Sequence, residues 1–369
     1  MFVRSISLKN YRNYSSLDME LSPGINVFLG ANAQGKTNLV EGVFYASLGH
    51  SHRTNTDGDL LLWNCREGHL RVSFQRMEAI NTLEFKFHRE KRRSIFLNGQ
   101  SIRPKELVGN LNSVLFSPED LFLVKGAPSG RRRFLDGEIS QASPSYYQEL
   151  LRYNKLLLQR NTLLKRIRER RAGKDMLDPW DFQLAESAAR ITQKRLETVK
   201  KLNMLANLMQ RRISGNQENL SVSYEIHGWE KESMTKELKA WYNERIEASR
   251  DTDVLRGSTG IGPHHDDIVL EVNGSNLRSF GSQGQQRTGV LALKLAELEF
   301  LRSETGEYPV LLLDDVMSEL DASRRKELMN FIRRERIQTL ITATEEAYLP
   351  RESIGVCYDV QKGTAVKRE

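Results

Sequence analysis

The sequence predicts an α/β fold: a mixed sheet with a helix opened by a glycine-rich loop, an antiparallel meander beside it, and an inserted, mainly helical second lobe. Three observations predict it. Gly30-Ala31-Asn32-Ala33-Gln34-Gly35-Lys36-Thr37 follows a short apolar strand (Ile25, Val27, Phe28, Leu29) and opens a helix, the context a phosphate loop requires. Val310-Leu311-Leu312-Leu313-Asp314-Asp315 is an apolar run ending in two carboxylates, the pattern of a buried parallel strand with acids at its carboxyl edge. Between the two lies a long stretch with helical periodicity, from about Gly130 to Ser214.

Taken in order, Phe2 to Leu8 and then Leu17, Met19 and Leu21 alternate as strands, and Pro23-Gly24 turns the chain into the strand before the loop. Leu70, Val72 and Phe74 alternate, as do Leu83, Phe85 and Phe87. Ser94 to Leu97 meets Gln100 to Ile102 across an Asn98-Gly99 hairpin turn, which completes the meander. The central stretch reads as two long antiparallel helices broken near Gly173 to Pro179, with Leu150, Asn154, Leu157, Asn161 and Leu164 on one stripe and Ile191, Leu196, Val199, Leu202 and Leu205 on the return. A strand over Leu220 to Ile226 and a helix over Lys231 to Ser249 complete the insertion. Residues 1–120 and 257–369 are thus assigned to an ATPase lobe I and 121–256 to a helical lobe II, with the stretch from about 278 to 303 on the lobe II side.

A chain of 369 residues, 39% hydrophobic and 28% charged, has room for two domains and the composition of a soluble globular protein. Its longest apolar runs fall well short of a membrane span and Met1 to Arg12 lacks the pattern of a signal peptide, so a cytoplasmic location and no membrane partner are expected. Cys65 and Cys357 have no cysteine at disulfide or zinc spacing. The net charge of +7 suits a polyanionic partner. Arg131 to Arg133 and the arm residues Lys165, Arg166, Arg168 and Arg170 are candidate phosphate-backbone contacts.

The chemistry concentrates at two places. In the loop, glycines let successive N–H groups turn inward, Lys36 supplies charge for the β and γ phosphates, and the Thr37 hydroxyl is a magnesium ligand. Asn32 sits inside that cradle, Gln34 reads as structural, and Asn38, in the first turn of the helix that begins near Thr37, is counted with Gly30 to Thr37 among the nucleotide-binding residues. Asp314 would complete the magnesium site, and Asp315 would orient or deprotonate the attacking water. Farther along, Phe280-Gly281-Ser282-Gln283-Gly284-Gln285-Gln286-Arg287 leads into an amphipathic helix. One nucleotide needs one phosphate loop, so this second glycine-spaced helix start suggests a group that completes another subunit's site. His264-His265-Asp266-Asp267 offers metal-ligating side chains, but neighbours in sequence seldom converge on one ion, and it reads as a turn.

The order of phosphate loop, helical insertion, Ser282–Gln286 signature, acidic strand, Ser318-Glu319-Leu320-Asp321 and Ile341-Thr342-Ala343-Thr344 resembles the SMC-like branch of ABC ATPases. Leu8-Lys9-Asn10-Tyr11-Arg12-Asn13-Tyr14, Ser51-His52-Arg53-Thr54, Phe116-Ser117-Pro118-Glu119-Asp120-Leu121, Arg131-Arg132-Arg133-Phe134-Leu135-Asp136 and Gly262-Pro263-His264-His265-Asp266-Asp267 resemble the RecF family within it. The resemblance implies an ATP- and Mg2+-dependent homodimer that binds double-stranded DNA and ds/ss junctions and hydrolyses ATP slowly under DNA stimulation. It also implies partners RecR, RecO and RecA. By the same resemblance Arg12 approaches the phosphates, Ser282, Gly284, Gln285 and Gln286 bind nucleotide, Thr344 marks the switch, and the segment sensing the γ phosphate lies near Phe116 to Asp120.

Gln283 stands where transporter ATPases carry glycine, and Asp315 where they carry glutamate. Alternatives are another SMC- or ABC-type ATPase, a transporter subunit among them, or a P-loop phosphotransferase. The phosphotransferase would need an acceptor pocket and no signature helix. A DNA-binding protein with a vestigial ATP site would have little reason to keep Lys36, Thr37, Asp314 and Asp315 together.

Overall fold

The computed structural model describes residues 1–229, 237–346 and 355–368. In chain order the elements are β1 (Phe2–Tyr11), β2 (Tyr14–Glu20), β3 (Ile25–Leu29), α1 (Lys36–Leu48), β4 (Glu67–Arg76), β5 (Ala79–His88), β6 (Ser94–Leu97), β7 (Gln100–Ile102), β8 (Ser113–Phe116), α2 (Phe122–Lys125), α3 (Pro128–Ala142), α4 (Pro144–Arg168), α5 (Asp178–Ile213) and β9 (Leu220–Glu225). There follow α6 (Leu238–Ala248), α7 (Arg250–Arg256), β10 (Asp267–Val272), β11 (Ser275–Asn276), α8 (Leu277–Phe280), α9 (Gln283–Thr305), β12 (Val310–Asp314), α10 (Ala322–Arg334), β13 (Thr339–Ala343), β14 (Val356–Gln361) and β15 (Thr364–Lys367). Of the helix expected over Lys231 to Ser249, α6 is seen from Leu238; residues 230–236 lie outside the described residues.

The chain forms two compact units, Met1–Leu121 with Val290–Glu369, and Phe122–Gly289. The first holds two six-stranded sheets, β2-β1-β4-β5-β6-β7 and β15-β14-β3-β13-β12-β8. The former is antiparallel throughout, and its period-2 pattern buries Leu70, Val72, Phe74, Leu83, Phe85 and Phe87. In the latter, β14, β3, β13, β12 and β8 run parallel, so the chain leaves β3, β12, β13 and β8 at one common edge. Every residue of β12 is buried, as a parallel strand covered on both faces demands. On α1, Gly42 leaves only enough room for Ile6 and Leu70 to pack against the helix, which contributes Leu39, Val40 and Val43 to one core shared with both sheets.

The second unit contains α4 and α5, of 25 and 36 residues, and the three-stranded sheet β11-β10-β9. Two sequence expectations change here. Residues 257–277, assigned to lobe I, pack in this unit, because β10 pairs with β9 from Asp267↔Glu225 to Val272↔Leu220, and of the stretch 278–303 expected on the lobe II side only 278–289 belongs to it. The buried stripe of α4 is Tyr146, Tyr153, Leu156, Arg160, Leu163, Leu164 and Ile167, a different phase from the leucine stripe expected. Polar-tipped residues cause the shift. Fully buried Arg160 bonds Asp181 at 2.6 Å, and Asp253 at 2.7 Å and Thr259 at 2.8 Å, so a charge occupies a core position that hydrophobicity alone assigns to leucine.

Candidate nucleotide site and signature helix

The loop between β3 and α1 is shaped by backbone geometry few residues accept. Gly30 and Gly35 have φ of 157° and 119°, and Ala33 has 64°. A Cβ on Gly30 would lie 2.3 Å from the Val360 carbonyl oxygen, and one on Gly35 would lie 2.7 Å from the Asn13 amide, so both positions require glycine. No side chain caps α1 and no acid occupies its first turn, which leaves the positive end of the helix dipole and its first N–H groups for an anion.

The charged and hydroxyl groups expected to act at the site converge because strand order brings them to one edge. Lys36 Nζ donates to the carbonyls of Gly30 at 2.7 Å and Ala31 at 2.9 Å. Burial lowers its pKa, while Asp315 and Asp314 pull it back up. Thr37 Oγ1 donates to Asp314 Oδ1 at 2.9 Å, and Thr342 Oγ1 donates to the same oxygen at 2.7 Å. The Asp315 N–H donates to Thr342 Oγ1 at 2.9 Å. Asp315 itself has φ of 56°, and its carboxyl is held above the ordinary aspartate range, first by burial and then by Asp314 and Glu319, with Lys36 opposing. These residues fit a magnesium nucleotide: an N–H cradle that a Cβ would obstruct, one ammonium, and the hard oxygens of Thr37 and Asp314 side by side.

The other expected site residues divide. Ala31, Asn32 and Ala33 form the loop's exposed rim. Gln34 is structural, its carbonyl and side chain both accepting bonds from neighbouring turns. Arg12 is committed elsewhere: Nε and Nη2 fork onto buried Glu41 of α1 at 2.8 and 2.5 Å, and Nη1 donates to the Asp59 carbonyl. Thr344 follows the end of β13, and Thr342, two residues earlier, is the hydroxyl bridging the two acids. Sequence reading named Thr342 within the switch pattern but gave it no role, and missed Glu41. A threonine in a β-strand pattern and a carboxylate in an otherwise apolar helix are the only signals either residue gives.

In the second unit, Ser282 precedes α9 as a reciprocal cap: its Oγ accepts from Gln285 N at 3.2 Å and its N–H donates to Gln285 Oε1 at 3.0 Å. Ser282 is exposed and Gly284 half-buried. Gln285 Nε2 also donates to Glu218. Gln286 departs from the expectation of an outward ligand; it is buried and donates to the Leu277 carbonyl, because the helix turns that position toward α8. Arg131 is likewise buried and forks onto Asp267 at 2.7 and 2.8 Å, so it is no surface contact for phosphate, whereas Arg133, Lys165, Arg166, Arg168 and Arg170 are exposed. His264 bonds Tyr153 OH and the Thr259 carbonyl through its two ring nitrogens, and its pKa falls to about 4 through burial and the adjacent His265.

A family model described as RecF/RecN/SMC N terminal domain matches residues 2–365. The DNA replication and repair protein RecF of Alkaliphilus oremlandii (strain OhILAs) is 44% identical over 347 residues, 93% of each chain. The chain belongs to the RecF family. A RecF from Clostridium botulinum (strain Loch Maree / Type A3) is 42% identical over 345 residues, again 93% of each chain. Among solved structures, one described as the recombination mediator protein RecF-ATPrS in the RecFOR pathway superposes with a TM-score of 0.91 at 36% identity, covering 100% of this chain and 98% of that one. An Smc head domain from Pyrococcus furiosus superposes at 0.58 with 14% identity, covering 100% and 96%, a likeness of fold alone. This RecF-family chain therefore has the ABC/SMC-type ATPase head fold. Among the described residues, no helix is long and apolar enough to cross a membrane.

Proposed function

We propose that the chain is an ATP-dependent DNA clamp of recombinational gap repair, in which two copies close head to tail around two nucleotides. The observation that carries this reading is that the chain has two glycine-spaced helix starts in two different compact units: α1, which carries Lys36 and Thr37, and α9, preceded by the exposed Ser282. Each nucleotide would lie between the loop of one copy and Ser282, Gly284 and Gln285 of the other. The 36% identity to a RecF structure named for its bound nucleotide supports the ATP assignment. The names of its relatives support a role in DNA replication and repair, and the RecFOR pathway in one of them supports RecR and RecO as partners; RecA as a further partner and a cytoplasmic setting complete this reading.

Magnesium, when bound, would neutralise charge on the β and γ phosphate oxygens. Thr37 and Asp314 would hold it, Lys36 would hold the phosphates, and Asp315 would take a proton from the attacking water at its carboxylate oxygen. Loss of the γ phosphate that bridges two copies would open the clamp. Exposed Arg133, Lys165, Arg166, Arg168 and Arg170 would bind duplex or junction DNA through phosphates, giving affinity without sequence preference. Sedimentation with Mg-ATP tests the assembly. Wild type should dimerise and Ser282→Arg should not; a variant that dimerises as well as wild type overturns the composite site. Lys36→Met should lose ATP-dependent DNA binding.

A further inference from the structure

The outer side of the phosphate loop is held by two turns that belong to neither nucleotide motif. Asn13, in the turn between β1 and β2, donates from Nδ2 to the Gln34 carbonyl at 2.8 Å, and its Oδ1 accepts from Asn38 Nδ2 at 2.8 Å. Gly363, in the turn between β14 and β15, donates its N–H to the same Gln34 carbonyl at 3.2 Å, while the Lys362 N–H donates to Gln34 Oε1 at 2.8 Å. Fully buried Tyr14 donates its hydroxyl to the Gly35 carbonyl at 3.0 Å. The fit is close: a Cβ on Gly363, whose φ is 74°, would lie 2.2 Å from the Asn13 carbonyl oxygen.

Peptide planarity gives these bonds a consequence inside the loop. In a trans peptide the C=O of one residue and the N–H of the next point in opposite directions. Two bonds drawing the Gln34 carbonyl outward therefore aim the Gly35 N–H the other way, and the Gly35 carbonyl, held by Tyr14 together with the Asn38 and Leu39 N–H groups of α1, does the same for the Lys36 N–H. Those amides are the anion donors of a phosphate loop. We infer that Asn13 is a positioning residue for the triphosphate, with Tyr14 as its second arm: it acts through the Gln34–Gly35 peptide plane to pre-aim the Gly35 N–H at a nucleotide's phosphates. The inference rests on the ATP reading of residues 30–37 but not on dimerisation.

The test is titration of the full chain with a fluorescent ATP analogue and Mg2+, beside steady-state hydrolysis and thermal melting, for wild type, Asn13→Ala, Asn13→Asp and Lys36→Met. Asp keeps the shape and the acceptor for Asn38 but replaces the donor to Gln34. Both Asn13 variants should raise the Kd and KM for ATP about tenfold, equivalent to ~1.4 kcal/mol, with kcat within about twofold, since an interaction made equally in ground and transition states shifts KM alone. Melting temperatures should stay near wild type, which a purely structural role for the turn would not allow alongside the KM change. If Lys36→Met abolishes binding while Asn13→Asp binds as wild type, the positioning role is overturned and the ATP site stands. If Lys36→Met binds normally, the ATP reading itself fails, and this inference with it.

Discussion

Asp315, the proposed general base, would set catalysis against stability at a single residue. Burial, with Asp314 and Glu319 nearby, raises its carboxyl pKa against the pull of Lys36. A carboxyl with a raised folded-state pKa binds more protons in the native state, so its charge costs stability above that pKa, and the cost disappears as pH falls through it. Asp315→Asn should therefore abolish hydrolysis yet raise the melting temperature at neutral pH, with the gain shrinking in acid; a lower melting temperature at pH 7 would refute the burial argument. Arg131 is the opposite case. Removing it leaves Asp267 without its fork, and Arg131→Ala should cost about 3 kcal/mol in denaturant unfolding, the penalty for breaking a buried pair. Exposed Arg133→Ala should change stability by less than about 0.5 kcal/mol. Sequence reading grouped the two as equivalent surface cations, because a run of arginines gives no hint of which one meets a carboxylate 136 residues away.

At the scale of elements, what was legible followed from period and punctuation. The meander could be read because alternating Leu70, Val72 and Phe74 are buried on one face and Asn98-Gly99 supplies the positive φ that a two-residue hairpin needs. The phosphate loop and the acidic strand could be read because each motif carries its own structural context. The phase of α4 could not, since it depends on Tyr153 and Arg160 finding partners on α5, α7 and the loop near Thr259. Nor could the allegiance of β10, whose alternation is the same whichever sheet it joins; its partner β9 decided that. Arg160 links α4 to Asp181 at the start of α5 and to Asp253 of α7. Arg160→Ala should cost about 3–5 kcal/mol in denaturant melts, whereas Arg160→Met paired with neutral replacements of both acids should recover much of it. If the multiple variant is no better than Arg160→Ala, the loss is packing and not stranded charge.

For the whole molecule, the net charge of +7 becomes an argument about salt. If the exposed arm cations and Arg133 hold DNA by its phosphates, log Kd should rise linearly with log salt, with a slope of about 0.9 per phosphate contacted. Charge reversal at Lys165 and Arg166 should weaken binding equally on unrelated sequences and lower the slope by about two. A slope unchanged by the double variant would place the DNA elsewhere. The central claim, that one copy's Ser282 completes the other copy's nucleotide site, is tested most directly by mixing two inactive variants, Lys36→Met and Ser282→Arg. A mixed dimer holds one intact composite site, made from the loop of the Ser282→Arg copy and the signature of the Lys36→Met copy. The mixture should therefore recover hydrolysis that neither variant shows alone, up to about a quarter of wild-type turnover, since random pairing makes half of the pairs mixed and each mixed pair has half its sites intact. A mixture no more active than either variant alone would contradict the claim.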